Sequence, residues 1–249
     1  MTHFKDHFSG HANRYREARP TYPPALFAWL AQLAPDTGLA WDAGCGNGQA
    51  TVALAEHFQR VIGTDPSANQ IAAAETRANI EYRVEPAERP SLGDASADLV
   101  TVAQALHWFE HARFYCEVKR VLRPGGVFAA WSYADCSTGE ADIDRAKDRL
   151  YVDLTGEYWP AERVHVDSGY KTLPFPFVEI AAPPLEMAVH WTLPEFLAYL
   201  RTWSASQRYL KAKGVDPVML IEPQMRAAWG DPAQARVVRW VFTVRAGRA

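Results

Sequence analysis

The sequence predicts an α/β fold, an open sheet with helices on both faces, and three stretches carry that prediction. The first is Leu39-Ala40-Trp41-Asp42-Ala43-Gly44-Cys45-Gly46-Asn47-Gly48-Gln49, an apolar run that ends in an acid, breaks into alternating glycines and then opens a helical pattern. The second is Val61-Ile62-Gly63-Thr64-Asp65, a strand-like run that also ends in an acid, roughly twenty residues beyond the glycines. The third is Ala97-Asp98-Leu99-Val100-Thr101-Val102-Ala103, an apolar run suited to a central strand buried on both faces.

The glycine stretch is read as a cofactor site. Glycines at alternate positions let the backbone turn sharply from strand to helix and let a ligand lie against bare peptide. The helix that follows carries Val52, Ala55 and Phe58 at three- and four-residue spacing, a face for packing on a sheet. A dinucleotide fingerprint needs glycine or alanine at its sixth position, but counting from Gly44 that position is Gln49 and from Gly46 it is Thr51. A phosphate loop would need Gly-Lys-Ser/Thr, and no lysine lies near. The remaining pattern, Asp-x-Gly-x-Gly-x-Gly, resembles the first motif of the class I S-adenosylmethionine-dependent methyltransferases. In that family the acid and the glycine backbone hold the amino-acid end of S-adenosylmethionine, and a carboxylate suits that ammonium as it would not suit a pyrophosphate.

The resemblance extends from about Phe8 to Tyr133. It implies a Rossmann-like three-layer sandwich with a mostly parallel seven-stranded sheet, the last strand antiparallel, and a helical lid. An aromatic, arginine-rich segment, Phe8 to Pro24, precedes a helix over 25–34 that shows Leu26, Trp29, Leu30 and Leu33 on one face. The segment is similar to that of the trans-aconitate methyltransferase-like subgroup, which makes Tyr15 and Arg19 candidates for closing on the cofactor's carboxylate. Asp65 stands where an α/β site puts a carboxylate on the ribose hydroxyls, and Pro66-Ser67 starts the next helix. A third strand over 80–84 leads to Glu85-Pro86-Ala87-Glu88, where the family meets the adenine amino group. Ala87 and Glu88 fit that place, with Glu85 the rival. The resemblance thus carries cofactor contacts onto Asp42, Ala43, Gly44, Gly46, Gly48, Asp65, Pro66, Ala87, Glu88, Gln104 and Ala105. Leu122-Arg123-Pro124-Gly125-Gly126, typical of the same family, reads as a helix end and turn before a strand at 127–131.

The fourth strand delivers Gln104-Ala105-Leu106-His107-Trp108-Phe109, and in an open α/β sheet ligands gather beyond the carboxyl ends of the strands. The Asn/Asp-Pro-Pro-Tyr/Phe of nucleic-acid amino-methyltransferases is absent there, which favours a small-molecule acceptor. His107 is the candidate catalytic base, its alternative role being to shape the pocket with Trp108 and Phe109. The histidine pairs His107/His111 and His3/His7 lack a third metal ligand, so no metal is expected. Trp159, Trp203 and Tyr209 are candidates for an aromatic acceptor pocket, against the commoner role of such side chains in the core.

From Ser137 the pattern turns helical, with Ile143, Ala146 and Leu150 aligned, then loosens into proline- and aromatic-rich chain. Beyond it lie a strand from Phe177 that continues toward Trp191, a helix over 193–210 and a strand over 236–244. The expected organisation is one domain: a cap and first helix at 1–38, the cofactor core at 39–136, a lid insertion at 137–176 and the substrate-covering part at 177–249. Net charge of −3 over 249 residues gives no global pull toward nucleic acid. The three cysteines, Cys45, Cys116 and Cys136, lack disulfide or zinc spacing, and neither a signal peptide nor a membrane span is legible. A cytoplasmic monomer or homodimer that methylates O or C of a small molecule is the leading expectation. A non-catalytic S-adenosylmethionine-binding protein and an NAD-dependent oxidoreductase are its rivals.

Overall fold

The computed structural model describes residues 19–248, so Tyr15 lies outside the described residues. Helix α1 (Pro24–Leu33) opens on Pro24, whose missing N–H is no loss in a first turn, and buries Leu26, Phe27 and Leu30. Strand β1 (Leu39–Ala43) runs into the glycine loop and α2 (Gln49–Leu54). Strand β2 (Arg60–Asp65), the short α3 (Ala68–Ala72) capped by Ser67, and β3 (Ile80–Val84) follow. Next come β4 (Ala97–Ala103), α4 (His111–Val121) and the long β5 (Leu122–Ser137). The chain continues through α5 (Ala141–Asp148), a wide helical turn (Arg149–Leu154), α6 (Arg163–Asp167), β6 (Val178–Ile180) and β7 (Met187–Trp191). It closes with α7 (Leu193–Arg201), α8 (Ser204–Lys213), α9 (Pro217–Trp229) and β8 (Arg236–Arg248).

The strands form one eight-stranded sheet in the order β3-β2-β1-β4-β5-β8-β6, with β7 also on β8. Strands β1 to β5 pair in parallel and β8 returns antiparallel to β5. Because side chains alternate across a strand, each strand feeds two cores. Along β5, Val127, Ala129, Trp131 and Tyr133 join the layer of α1, α5, α7 and α9, whereas Phe128 and Ala130 join the layer of α4 with Phe114, Val118 and Tyr170.

The fold is the expected Rossmann-like sandwich, with differences that have local causes. The run from Phe177 to Trp191 is two strands, since Pro183 and Pro184 can donate no ladder bond; β7 and β6 pair with successive parts of β8, which makes the count eight. Leu122 to Gly126 is an irregularity within β5, where the register against β4 shifts between Ala97 and Leu99, and Gly125 takes φ +78. On α2 the buried positions are Ala50, Thr51 and Leu54, with Phe58 just beyond, so Val52 and Ala55 lie at the margin of that face. The expected helix over 193–210 breaks at Trp203, whose extended backbone lets its indole pack on Tyr151, Trp159 and Tyr199. Helix α9 has no counterpart in the sequence reading, because Pro223 signals a break; its exposed position and the Asp216 cap on the Val218 N–H let the helix form regardless.

Candidate active site

The glycine loop is held from below by two acids. Gly44, Gly46 and Gly48 all have left-handed backbone, at φ +66, +56 and +85, which an L side chain adopts only under strain. A Cβ on Gly44 would strike Phe109 Cζ at 2.8 Å and Ala105 Cβ at 2.9 Å, so the segment after β4 packs directly on the loop. A Cβ on Gly46 would find its nearest neighbour 3.8 Å away, which leaves this peptide the open face of the cradle. Asp65, at the end of β2, accepts the Gly46 N–H at 2.9 Å on one oxygen and the Ser67 N–H at 2.8 Å on the other.

Asp42 is 0% exposed. Its oxygens accept the hydroxyls of Thr51 at 2.7 Å and Thr101 at 2.9 Å, tying β1 to α2 and β4. Burial raises its pKa to about 6, against the lowering effect of the two threonines, and the nearby Asp65 adds to the rise. A folded-state pKa raised above the unfolded value means stability that is present below about 3.8 and lost as pH climbs through about 6. Asp42→Asn carries no such charge, so it should gain on the wild type by about 1–3 kcal/mol between pH 4 and pH 8. Urea unfolding at the two pH values checks this, and a difference that does not move with pH would refute it.

Past β3, Ala87 is buried and the Glu88 carboxylate accepts the Glu110 N–H at 2.8 Å. Glu85 takes both the backbone N–H and the hydroxyl of Ser91. Pro66 follows Asp65 at the turn into α3, beside the capping Ser67.

A cavity of about 650 Å³, counting its open mouth, lies beyond the carboxyl ends of β4 and β5. It brings together Arg19, Gln104 and His107 of the sequence-predicted residues, with Trp108, Tyr133, Asp135, Arg163 and Tyr199. Trp159 and Trp203 line it, and Tyr209 packs edge-on against Tyr158. Gln104 has left-handed backbone at φ +53 and donates its side-chain amide to the Tyr133 carbonyl at 2.9 Å, while its Oε1 is buried with no protein partner. An orphaned acceptor beside a cavity is a group that a ligand can satisfy. The guanidinium of Arg19 donates to the Tyr133 hydroxyl at 2.7 Å and to the Thr202 carbonyl at 3.2 Å, over the faces of Tyr133 and Tyr199. Arg163 pairs with Asp167 at 2.8 Å and lies 4.7 Å above the Trp159 ring. Asp135 is bonded to Lys147, itself only 3% exposed, and burial raises the Asp135 pKa while Lys147 opposes that rise.

His107 sits in the short turn Leu106–Trp108 and shares a hydrogen bond of 3.1 Å between Nδ1 and the Tyr170 hydroxyl. Its pKa falls to about 3 because burial penalises the cation, with Arg163, His165 and His111 adding repulsion. That is well below the ordinary imidazole value from which the expectation of a base at His107 started. His111 turns away and bonds the Leu106 carbonyl through Nε2 at 3.0 Å. Sequence reasoning missed Asp135, Arg163, Tyr170 and Tyr199; only the arginine in an otherwise aromatic, proline-rich stretch offered a signal.

A methyltransferase domain family matches residues 41–130. A protein of Dictyostelium discoideum named only as a methyltransferase is 35% identical over 231 residues, which span 92% of this chain and 88% of that one. An uncharacterized methyltransferase of Mycobacterium tuberculosis is 39% identical over 132 residues, 51% of this chain and 53% of its own length. A solved structure described as a type II methyltransferase of Anaeromyxobacter dehalogenans superposes with a TM-score of 0.86 at 49% identity, over 92% of this chain and 97% of that one. Among the described residues no helix is long and apolar enough to cross a membrane. The glycine cradle, the acids that brace it, the sheet order and these likenesses, two of which cover 92% of the chain, together make the chain a member of the class I S-adenosylmethionine-dependent methyltransferase family.

Proposed function

We propose that this protein transfers the methyl group of S-adenosylmethionine to an oxygen of a small carboxylate, held in the cavity beyond β4 and β5. The observation that carries the reading is the convergence of two guanidinium groups, Arg19 and Arg163, on one cavity, where Arg163 is shared with Asp167 and the cavity's carboxylate, Asp135, with buried Lys147. Those charges favour an anion, and the surrounding Trp108, Trp159 and Trp203 favour one with an apolar or aromatic body.

Asp65 and the Gly46 peptide suit the adenosine: a carboxylate is an acceptor with several lone-pair sites, Asp65 stands at the end of β2 against the cradle, and vicinal hydroxyls are donors. Ala87 and Glu88 stand for the adenine edge, and Gln104 and Ala105 for the sulfur end. Buried Asp42 acts on the amino-acid end through its charge and by fixing the loop, since Thr51 and Thr101 hold its oxygens. When bound, S-adenosylmethionine supplies a methyl on a cationic sulfur. Transfer of that methyl to a carboxylate oxygen would leave the electrons of the carbon–sulfur bond on sulfur and would balance as a methyl ester and a thioether. No proton is taken up or released, in keeping with a His107 that stays neutral. The protein's part is alignment and exclusion of water, and positioning alone supplies about 7 to 11 kcal/mol in well-oriented systems.

Calorimetric titration with S-adenosylmethionine, S-adenosylhomocysteine and NAD, followed by methyl transfer to a panel of aromatic and aliphatic carboxylates and their neutral amides, tests the reading. Binding of both sulfur ligands but not NAD, with turnover confined to the acids, is the expected result. Turnover on the amides would remove the anionic acceptor, and tight binding without turnover on any member would favour the non-catalytic alternative.

A further inference from the structure

Tyr170 contributes nothing directly to the cavity, yet it is built into place with unusual care. It follows Gly169, and both residues have left-handed backbone, at φ +62 and +60. A Cβ at Gly169 would lie 2.7 Å from Thr243 Oγ1, so the turn is pressed against the sheet. The Tyr170 N–H bonds the His165 carbonyl at 2.8 Å and its carbonyl accepts from Arg245 at 2.9 Å. The phenol ends 3.1 Å from His107 Nδ1 and the residue is 1% exposed.

That geometry fixes a proton. A buried phenol has one O–H to place. Among the described residues the hydrogen-bond partner of the phenol is His107 Nδ1. Were Nδ1 protonated instead, it would donate to the phenol and leave a buried O–H with no acceptor. With Nδ1 accepting, the neutral imidazole carries its proton on Nε2, the nitrogen left for the cavity that His107 lines.

We infer that Tyr170 is a positioning residue that locks His107 as the Nε2–H tautomer, so that the histidine presents a hydrogen-bond donor, and no base, to the methyl acceptor. Its donor role rests on the acceptor reading above; the tautomer does not. The histidine thereby joins Arg19 and Arg163 as a third donor around one cavity, two of them charged and the third able to fix the orientation of a single oxygen.

Long-range proton–nitrogen correlation spectra of uniformly labelled protein, with His107 assigned by a His107→Gln variant, read the tautomer directly. The wild type is expected to show an unprotonated Nδ1 and a protonated Nε2, unchanged down to about pH 5, and Tyr170→Phe is expected to lose this single form. The inference is overturned by a protonated Nδ1 in the wild type, a measurement that needs no variant to fold, or by a folded Tyr170→Phe that keeps the same tautomer. Adding benzoate with S-adenosylhomocysteine should shift the Nε2 signal. If the lock holds and benzoate leaves that signal in place, the acceptor reading fails and the tautomer assignment stands.

Discussion

Asp65→Ala is expected to bind S-adenosylmethionine and S-adenosylhomocysteine about a hundredfold more weakly than the wild type. Hydrogen bonds to an ionised group contribute about 1.5–3 kcal/mol each, and removing the carboxylate takes away the acceptor proposed for the ribose hydroxyls. It also frees the Gly46 N–H, so the one open peptide of the cradle loses its anchor at 2.9 Å. The variant should lose stability too, since the Gly46 and Ser67 amides lose their partner. Affinity is therefore measured by calorimetry well below the unfolding midpoint. Asp65→Asn retains one acceptor oxygen and should fall between the two, near a tenfold loss. An unchanged dissociation constant in a folded Asp65→Ala protein would place the adenosine elsewhere.

The second large effect falls on Gly48. At φ +85 an alanine there meets the left-handed penalty of about 1–2 kcal/mol, and its Cβ would sit 2.2 Å from the Tyr82 hydroxyl oxygen and 2.9 Å from Cζ. Overpacking of this sort typically costs a further 1–3 kcal/mol, roughly, so Gly48→Ala should lower the midpoint by on the order of 10 °C. The two contributions separate in a double-mutant cycle. Tyr82→Ala opens the space and recovers the steric part in the pair, whereas the backbone part persists. Strict additivity of the two substitutions, read by thermal or urea unfolding, would mean that Tyr82 is not what crowds Gly48.

Legibility in the sequence followed chemistry. Strands β3 and β4 match the expected runs to the residue, and β1 and β2 nearly so: β1, β2 and β4 are buried on both faces, which tolerates little but apolar side chains, and the edge strand β3 shows itself by alternation. The glycine loop was legible because only glycine satisfies its three positive φ values at low cost. Gln104 and His107 were reachable because the end of a central strand fixes where its following residues go. Past Ser137 the pattern weakened. Trp203 packs inward through a helix break, Pro223 rides on an exposed helix face, and Pro183 and Pro184 divide a strand, so in each place tertiary packing overrode a local signal. Arg163, Asp135 and Tyr170 become a site only through contacts that span long stretches of chain, which no local spacing encodes.

The joining of β8 to β5, β6 and β7 has a kinetic consequence. In the cofactor half β1–β2, β2–β3 and β4–β5 join consecutive strands through one crossover each and β1–β4 closes over residues 44–96, but the β5–β8 ladder forms only when the longer stretch from residue 138 to residue 235 has been looped out. Closing so long a loop is entropically slow and is rewarded only after the strands zip. Much of the cavity wall, Trp159, Arg163, Tyr199 and Trp203 among it, hangs from that loop. The two halves of the site therefore differ in contact order: the cradle closes over shorter loops, and the proposed acceptor cavity comes into being with the final strand.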